Sequence, residues 1–143
     1  MVEIGLQWVH VLLRGYGGKT PTRSRFFDLL GVAPNSPLRV SPSQSPWQAA
    51  TIELFAVSMK DLQTSAEPTE EFAAHTEQGF QQAAVWLQSL PVTAFEQWRA
   101  LRMKADIFIG GWLANEQLDL HLPVEFLLEC GRLGLPIKIC TND

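Results

Sequence analysis

The chain has 143 residues, 46% apolar and 18% charged. That balance suits one globular domain over 1–143 with a single sizeable core, and it excludes a disordered or fibrous chain. The net charge of −4 and pI near 5.3 exclude the basic footprint of a nucleic-acid binder, and the mild acidic excess serves solubility. Cys130 and Cys140 are the only cysteines, too few for a disulfide-stapled secreted fold. The expectation is two reduced thiols in a cytoplasmic protein, with a bridge between them left open.

The apolar stretch Ile4 to Leu13 has no basic leader, carries Glu3 ahead of it and His10 within it, and lacks a small-residue cleavage site, so it is not read as a signal peptide. No uncharged apolar run approaches the roughly 20 residues of a membrane span. Leu6 to Leu13 (LQWVHVLL) instead predicts a strand, apolar on both alternations from Trp8 onward and therefore interior. A helix follows, capped at Thr20 or Thr22, with Phe26, Phe27, Leu29 and Leu30 on its buried side and Gly31 as its stop. Residues 34–46, PNSPLRVSPSQSP, contain four prolines and four serines and predict a long loop. Ala50 to Met59 returns to strand character, and Asp61 to Pro68 is a polar connector.

Thr69 precedes Glu70 and Glu71, acids suited to a helix start. Phe72, Thr76, Phe80, Ala83, Ala84, Leu87 and Leu90 then form one core-facing stripe that ends at Pro91. Thr93 to Glu96 has the pattern of a capping box for a second helix carrying Phe95, Trp98 and Leu101. Ile107 to Ile109 predicts a strand that meets Gly110-Gly111. Asn115-Glu116 predicts a hairpin turn returning through a strand at Leu118 to Leu122. Pro123 opens a short helix closed by Gly134, and Ile137 to Cys140 is a final strand. The order β-α-β-α-α-β-β-α-β predicts an α+β fold. Its single mixed or antiparallel sheet would have about five strands, with helices mainly on one face.

The stretch RGYGGKTPTRSRFFDLLG, residues 14–31, poses the question of a phosphate-binding loop. Such a loop needs glycine five positions before the Gly18 of Gly18-Lys19-Thr20, where this chain has Leu13, and Gly15 comes two residues late. Thr20 also precedes Pro21, which disfavours helical angles, and no strand ends in a metal-binding aspartate. The glycines are read as a turn between strand and helix. No nucleophile elbow surrounds Ser24 or the loop serines. Cys130 has no activating neighbour legible in sequence.

Asp119 and His121 lie two apart on the expected strand and would share one face, where an aspartate can orient a histidine base or both can ligate metal. His10 is the candidate third member, although it belongs to another strand, and the competing reading is a solvent-facing pair. No cofactor and no metal site is expected. Of five tryptophans, three are expected in the core, while Trp47 and Trp112 are expected near a surface as binding residues. Gly110-Gly111 inside an apolar strand predicts a bulge or a close approach by a neighbouring backbone or ring.

The stretch ADIFIGGWLANEQLDLHLPVEFLLECGRLGLPIKICTND, residues 105–143, runs strand, glycine-containing turn, a Leu-Pro helix start, Leu-Gly and a closing strand, and near the other end a strand is followed by TPTRSRFFDLLGVAP, residues 20–34, a short helix ending in Leu-Gly and then proline. In this the chain resembles the uncharacterised bacterial family known as domain of unknown function 4279. The resemblance implies an α+β fold of unassigned function and lends no site residues. The expected function is a non-catalytic protein-binding module, immunity-like or regulatory, with a protein partner and no nucleic-acid or membrane partner. The alternative is a small enzyme or metal-binding protein using Asp119 and His121.

Overall fold

The computed structural model describes residues 6–17, 20–40, 49–62, 64, 66–113 and 118–142. Four strands, β1 (Leu6–Tyr16), β2 (Ala50–Ser58), β3 (Lys104–Leu113) and β4 (Ile137–Thr141), form one sheet. Four helices, α1 (Thr20–Leu30), α2 (Pro68–Gln88), α3 (Val92–Ala100) and α4 (Val124–Arg132), connect them, and a short 3₁₀ turn covers Met59–Leu62. No helix of the described residues is long and apolar enough to cross a membrane.

The sheet order is β2-β1-β3-β4, with β1 antiparallel to both neighbours and β4 parallel to β3. The parallel pair requires a crossover, and α4 supplies it. The apolar alternation in β1 decides which face is buried. Val9, Val11 and Leu13 are at most 1% exposed, and with Ile52, Ile107 and Ile109 they form the face on which the helices pack. Gly15 continues that face, and a Cβ there would lie 2.6 Å from the Phe26 ring of α1. Phe26 in turn stacks on Trp98 of α3, while Phe80 of α2 bridges Phe55 of β2 and Phe126 of α4. The Trp98 indole N–H donates to the Lys104 carbonyl at 2.7 Å, so this buried ring leaves no unpaired donor.

The α+β class and the one mixed sheet agree with the sequence expectation, but the sheet has four strands, not about five. The expected return strand at 118–122 does not form: residues 118–123 have no regular structure, and the expected turn at 115–116 lies outside the described residues. The reason is occupancy. β3 already has β1 on one side and β4 on the other, so no edge remains for a hairpin partner. The long loop is also less bare than expected, because its residues 38–40 lie along β2, with Val40 N donating to Thr51 O and Glu53 N to Leu38 O. The expected capping box at Thr93 is unused. Helix α3 starts two residues earlier, at Val92 with Pro91 in the cap position and no side-chain cap. Gly31 and Gly134 end α1 and α4 at positive φ, as expected.

Candidate functional site

Alternation places Trp8, His10, Leu12, Arg14 and Tyr16 of β1 on the face turned away from the helices. The β3 register sets Trp112, Gly110, Phe108, Asp106 and Lys104 beside them, one partner each. This face divides into two halves. Around Arg14, Thr51 and Asp106 it is buried, whereas Ala56 and Trp112 are exposed and Trp112 keeps 47% of its surface.

The buried half holds an ion pair. Arg14 Nε donates to Asp106 Oδ1 at 2.8 Å and Nη2 to Oδ2 at 2.6 Å, a fork that matches guanidinium to carboxylate. The Tyr16 hydroxyl adds a longer bond to Oδ2 at 3.3 Å. The guanidinium carbon lies 4.5 Å from the Phe108 ring centroid, a cation–π contact. Burial, followed by the nearby Asp106 carboxylate, pushes the Tyr16 phenol above its ordinary value. Every charge in this cluster is committed to a neighbour, which makes it a structural clamp between β1 and β3.

In the open half the His10 ring lies across the backbone of Gly110, where an added Cβ would be 2.6 Å from His10 Cδ2 and 2.9 Å from Phe108 Cε1. Trp8 meets the same ring edge-on at 5.0 Å and Phe108 at 5.9 Å. Gly110 is therefore the close approach expected from the sequence, and the ring that approaches is His10. Burial lowers the His10 pKa, only partly opposed by Glu53, so the imidazole is neutral and packed as an aromatic.

His121 Nε2 is 3.4 Å from Asp119 Oδ1, but their side chains are 94% and 78% exposed. His10 lies instead in the sheet, packed against Trp8, Phe108 and the Gly110 backbone. Among the described residues no group of three or more His, Cys, Asp or Glu side chains could hold a metal. Cys130 is buried and its thiol is raised to about 11, chiefly by burial. Cys130 and Cys140 are both free thiols. Trp47 lies outside the described residues, as do Gly18 and Lys19. Of the remaining four tryptophans only Trp98 is fully buried, Trp8 and Trp86 are half-buried, and Trp112 is exposed as expected.

Sequence reasoning missed the outer surface of α4. Phe126, Cys130 and Leu133 face the core, yet Val124, Leu127 and Leu128 are 64%, 41% and 67% exposed. At about 100° per residue, Val124 and Leu128 lie opposite Phe126, with Leu127 on one flank and Arg132 on the other. Arg132 Nη2 donates to Leu87 O at 2.9 Å and Leu90 O at 3.1 Å at the end of α2. Leu127 therefore lies on the flank away from α2. Because α2 packs on β2, that flank is the β4 side of the sheet. Ile139 of β4, on the helix-bearing face of the same end of the sheet, is 45% exposed.

Comparison with protein-family models, with curated proteins and with solved structures found no match.

Proposed function

We propose that this chain is a non-catalytic protein-binding module of the cytoplasm whose contact surface is the outer face of α4 together with the β4 edge. The observation that carries this reading is the stripe of Val124, Leu127 and Leu128, apolar side chains that a nine-residue helix turns to solvent, with Ile139 of β4 also exposed. An apolar patch of this kind is costly in water and characteristic of interaction surfaces. The chemistry-bearing groups support it as well. Arg14 and Asp106 are spent on each other, His10 is neutral and packed, and Cys130 is a buried thiol of raised pKa. Asp119 and His121 meet in the open, their side chains 78% and 94% exposed, where water screens the pair. Two free cysteines and an acidic balance suit a reducing compartment.

The test is capture from the source cell with tagged parent and tagged Leu128→Lys chains that melt alike. A protein retained by the parent and lost by the variant is the expected result. Identical proteins on both would refute α4 as the contact surface.

A further inference from the structure

We propose that the chain forms a two-fold homodimer in which β4 pairs antiparallel with β4 of a second copy, joining two four-stranded sheets into one. The proposal rests on the protein-binding reading and names its partner. It starts from the parity of the β3–β4 ladder. Ile107 N donates to Pro136 O and Asn142 N to Gly111 O, so the even-numbered residues of this segment direct their backbone groups at β3. The odd-numbered residues Ile137, Ile139 and Thr141 then direct N–H and C=O at the outer edge, and among the described residues nothing bonds to them there. The opposite edge of the sheet differs, because residues 38–40 of the same chain lie along β2.

An exposed strand edge is satisfied by another strand, and the β4 of a second copy has the same unpaired groups. A two-fold axis beside Ile139 sets Ile139 against its own counterpart and Ile137 against Thr141 of the second copy. Each is a hydrogen-bonded antiparallel pair exchanging two bonds, so the three pairs of this register give six. Lys138 then opposes Cys140 of the second copy, so the two lysines do not face each other.

The side chains beside the edge fit this partner. On the helix-bearing face, Ile139 and the Leu127 flank of α4 meet their counterparts across the axis, while Val124 and Leu128 lie at the rim. On the other face, Trp112 stands at the end of β3 next to the joint. A five-residue strand is about 17 Å long, and helix plus sheet layers are about 20 Å deep, which gives a flat contact near 340 Å². That is below the standard ~800 Å² per partner, which places the dimer among weak, reversible contacts.

Two measurements on the purified chain test the proposal. Sedimentation equilibrium of the parent at about 200 µM is expected to return a dimer, and Leu127→Lys, which sets a charge against its own counterpart on the α4 flank, is expected to weaken it at least ~10-fold, the loss of 1.4 kcal/mol. In a Cys140→Ser background, Ile139→Cys is expected to cross-link across the axis under mild oxidation, because hydrogen-bonded partners stand about 5.5 Å apart at Cα, within disulfide reach. Lys138→Cys in the same background is the register control. Its counterpart is diagonal, roughly 7–8 Å away, and it is expected to pair without cross-linking. A parent that remains monomeric at that concentration, or equal cross-linking by the two cysteine variants, would overturn the proposal. Capture of another protein that Leu128→Lys loses would, with a monomeric parent, leave the α4 contact surface standing and remove only the second copy as its occupant.

Discussion

Replacing Arg14 by methionine would show how much of the sheet depends on one ion pair. The Arg14 and Asp106 side chains are 8% and 5% exposed, and the fork between them has bonds of 2.8 and 2.6 Å. Arg14→Met removes both bonds and leaves a buried carboxylate whose remaining side-chain partner among the described residues is the Tyr16 hydroxyl at 3.3 Å. Stranding one member of a buried pair costs about 3–5 kcal/mol, most of it the desolvation of the abandoned charge and not the attraction lost. For a domain of this size that corresponds to a fall in Tm of roughly 10–15 °C. The double variant Arg14→Met/Asp106→Leu removes both charges and fills the space with apolar atoms. It is expected to recover at least ~2 kcal/mol of the summed single losses, because pairs in direct contact do not add. Urea unfolding followed by tryptophan fluorescence, with linear extrapolation, measures all four corners of the cycle. Single losses under ~1 kcal/mol, or a double variant equal to the sum of the singles, would refute the account of the clamp.

Gly110→Ala places a Cβ 2.6 Å from His10 Cδ2, so the ring must leave its place between Trp8 and Phe108, at about 1–3 kcal/mol by urea unfolding; His10→Ala in the same chain is expected to restore most of it. His10 titrates below its ordinary 6.5 when folded, so its contribution is complete above that pH and is lost as the pH falls from 6.5 through the folded value. A stability profile between pH 7 and 5 that is unchanged by His10→Gln would contradict this. Tyr16 is the single tyrosine of the chain, so phenolate absorbance reads it alone, with an expected midpoint above 10.0 that moves down in Asp106→Asn. An unmoved midpoint would mean that the hydroxyl does not sense the carboxylate.

Local patterns were sufficient wherever the deciding contact lies within one element. The spacing of Phe72, Thr76, Phe80, Ala83 and Leu87 fixes α2 because a helix returns those residues to one side by its own period, and all five are buried as expected. The glycine stops after α1 and α4 were legible for the same reason, since a left-handed residue is a local requirement. The expected strand at 118–122 failed because Leu118, Leu120 and Leu122 satisfy the alternation of a strand, but alternation does not say whether a neighbour has room. β3 spends both of its edges on β1 and β4.

The site divides along the same line. That Gly110 needed a close neighbour could be read from a glycine in an apolar strand, but that the neighbour is His10, one hundred positions earlier, depends on the β1–β3 register. Arg14 and Asp106 are 92 positions apart and share no local motif, so their pairing exists only once the strands are aligned. Asp119 and His121 do approach each other, as adjacency in sequence allows, but only the surrounding fold determines whether such a pair is enclosed, and here both remain in solvent. The leucines of α4 make the final distinction. Pro123 and Gly134 mark VEFLLECGR as a short helix, yet which of its apolar residues are covered depends on the position of α2 and on β4 being the end of the sheet. Sequence alone determined the class of this protein and most of its segments, because those follow from backbone preference and period. The clamp, the packed histidine and the uncovered α4–β4 flank were decided by tertiary structure, because each depends on which distant residues come to lie side by side.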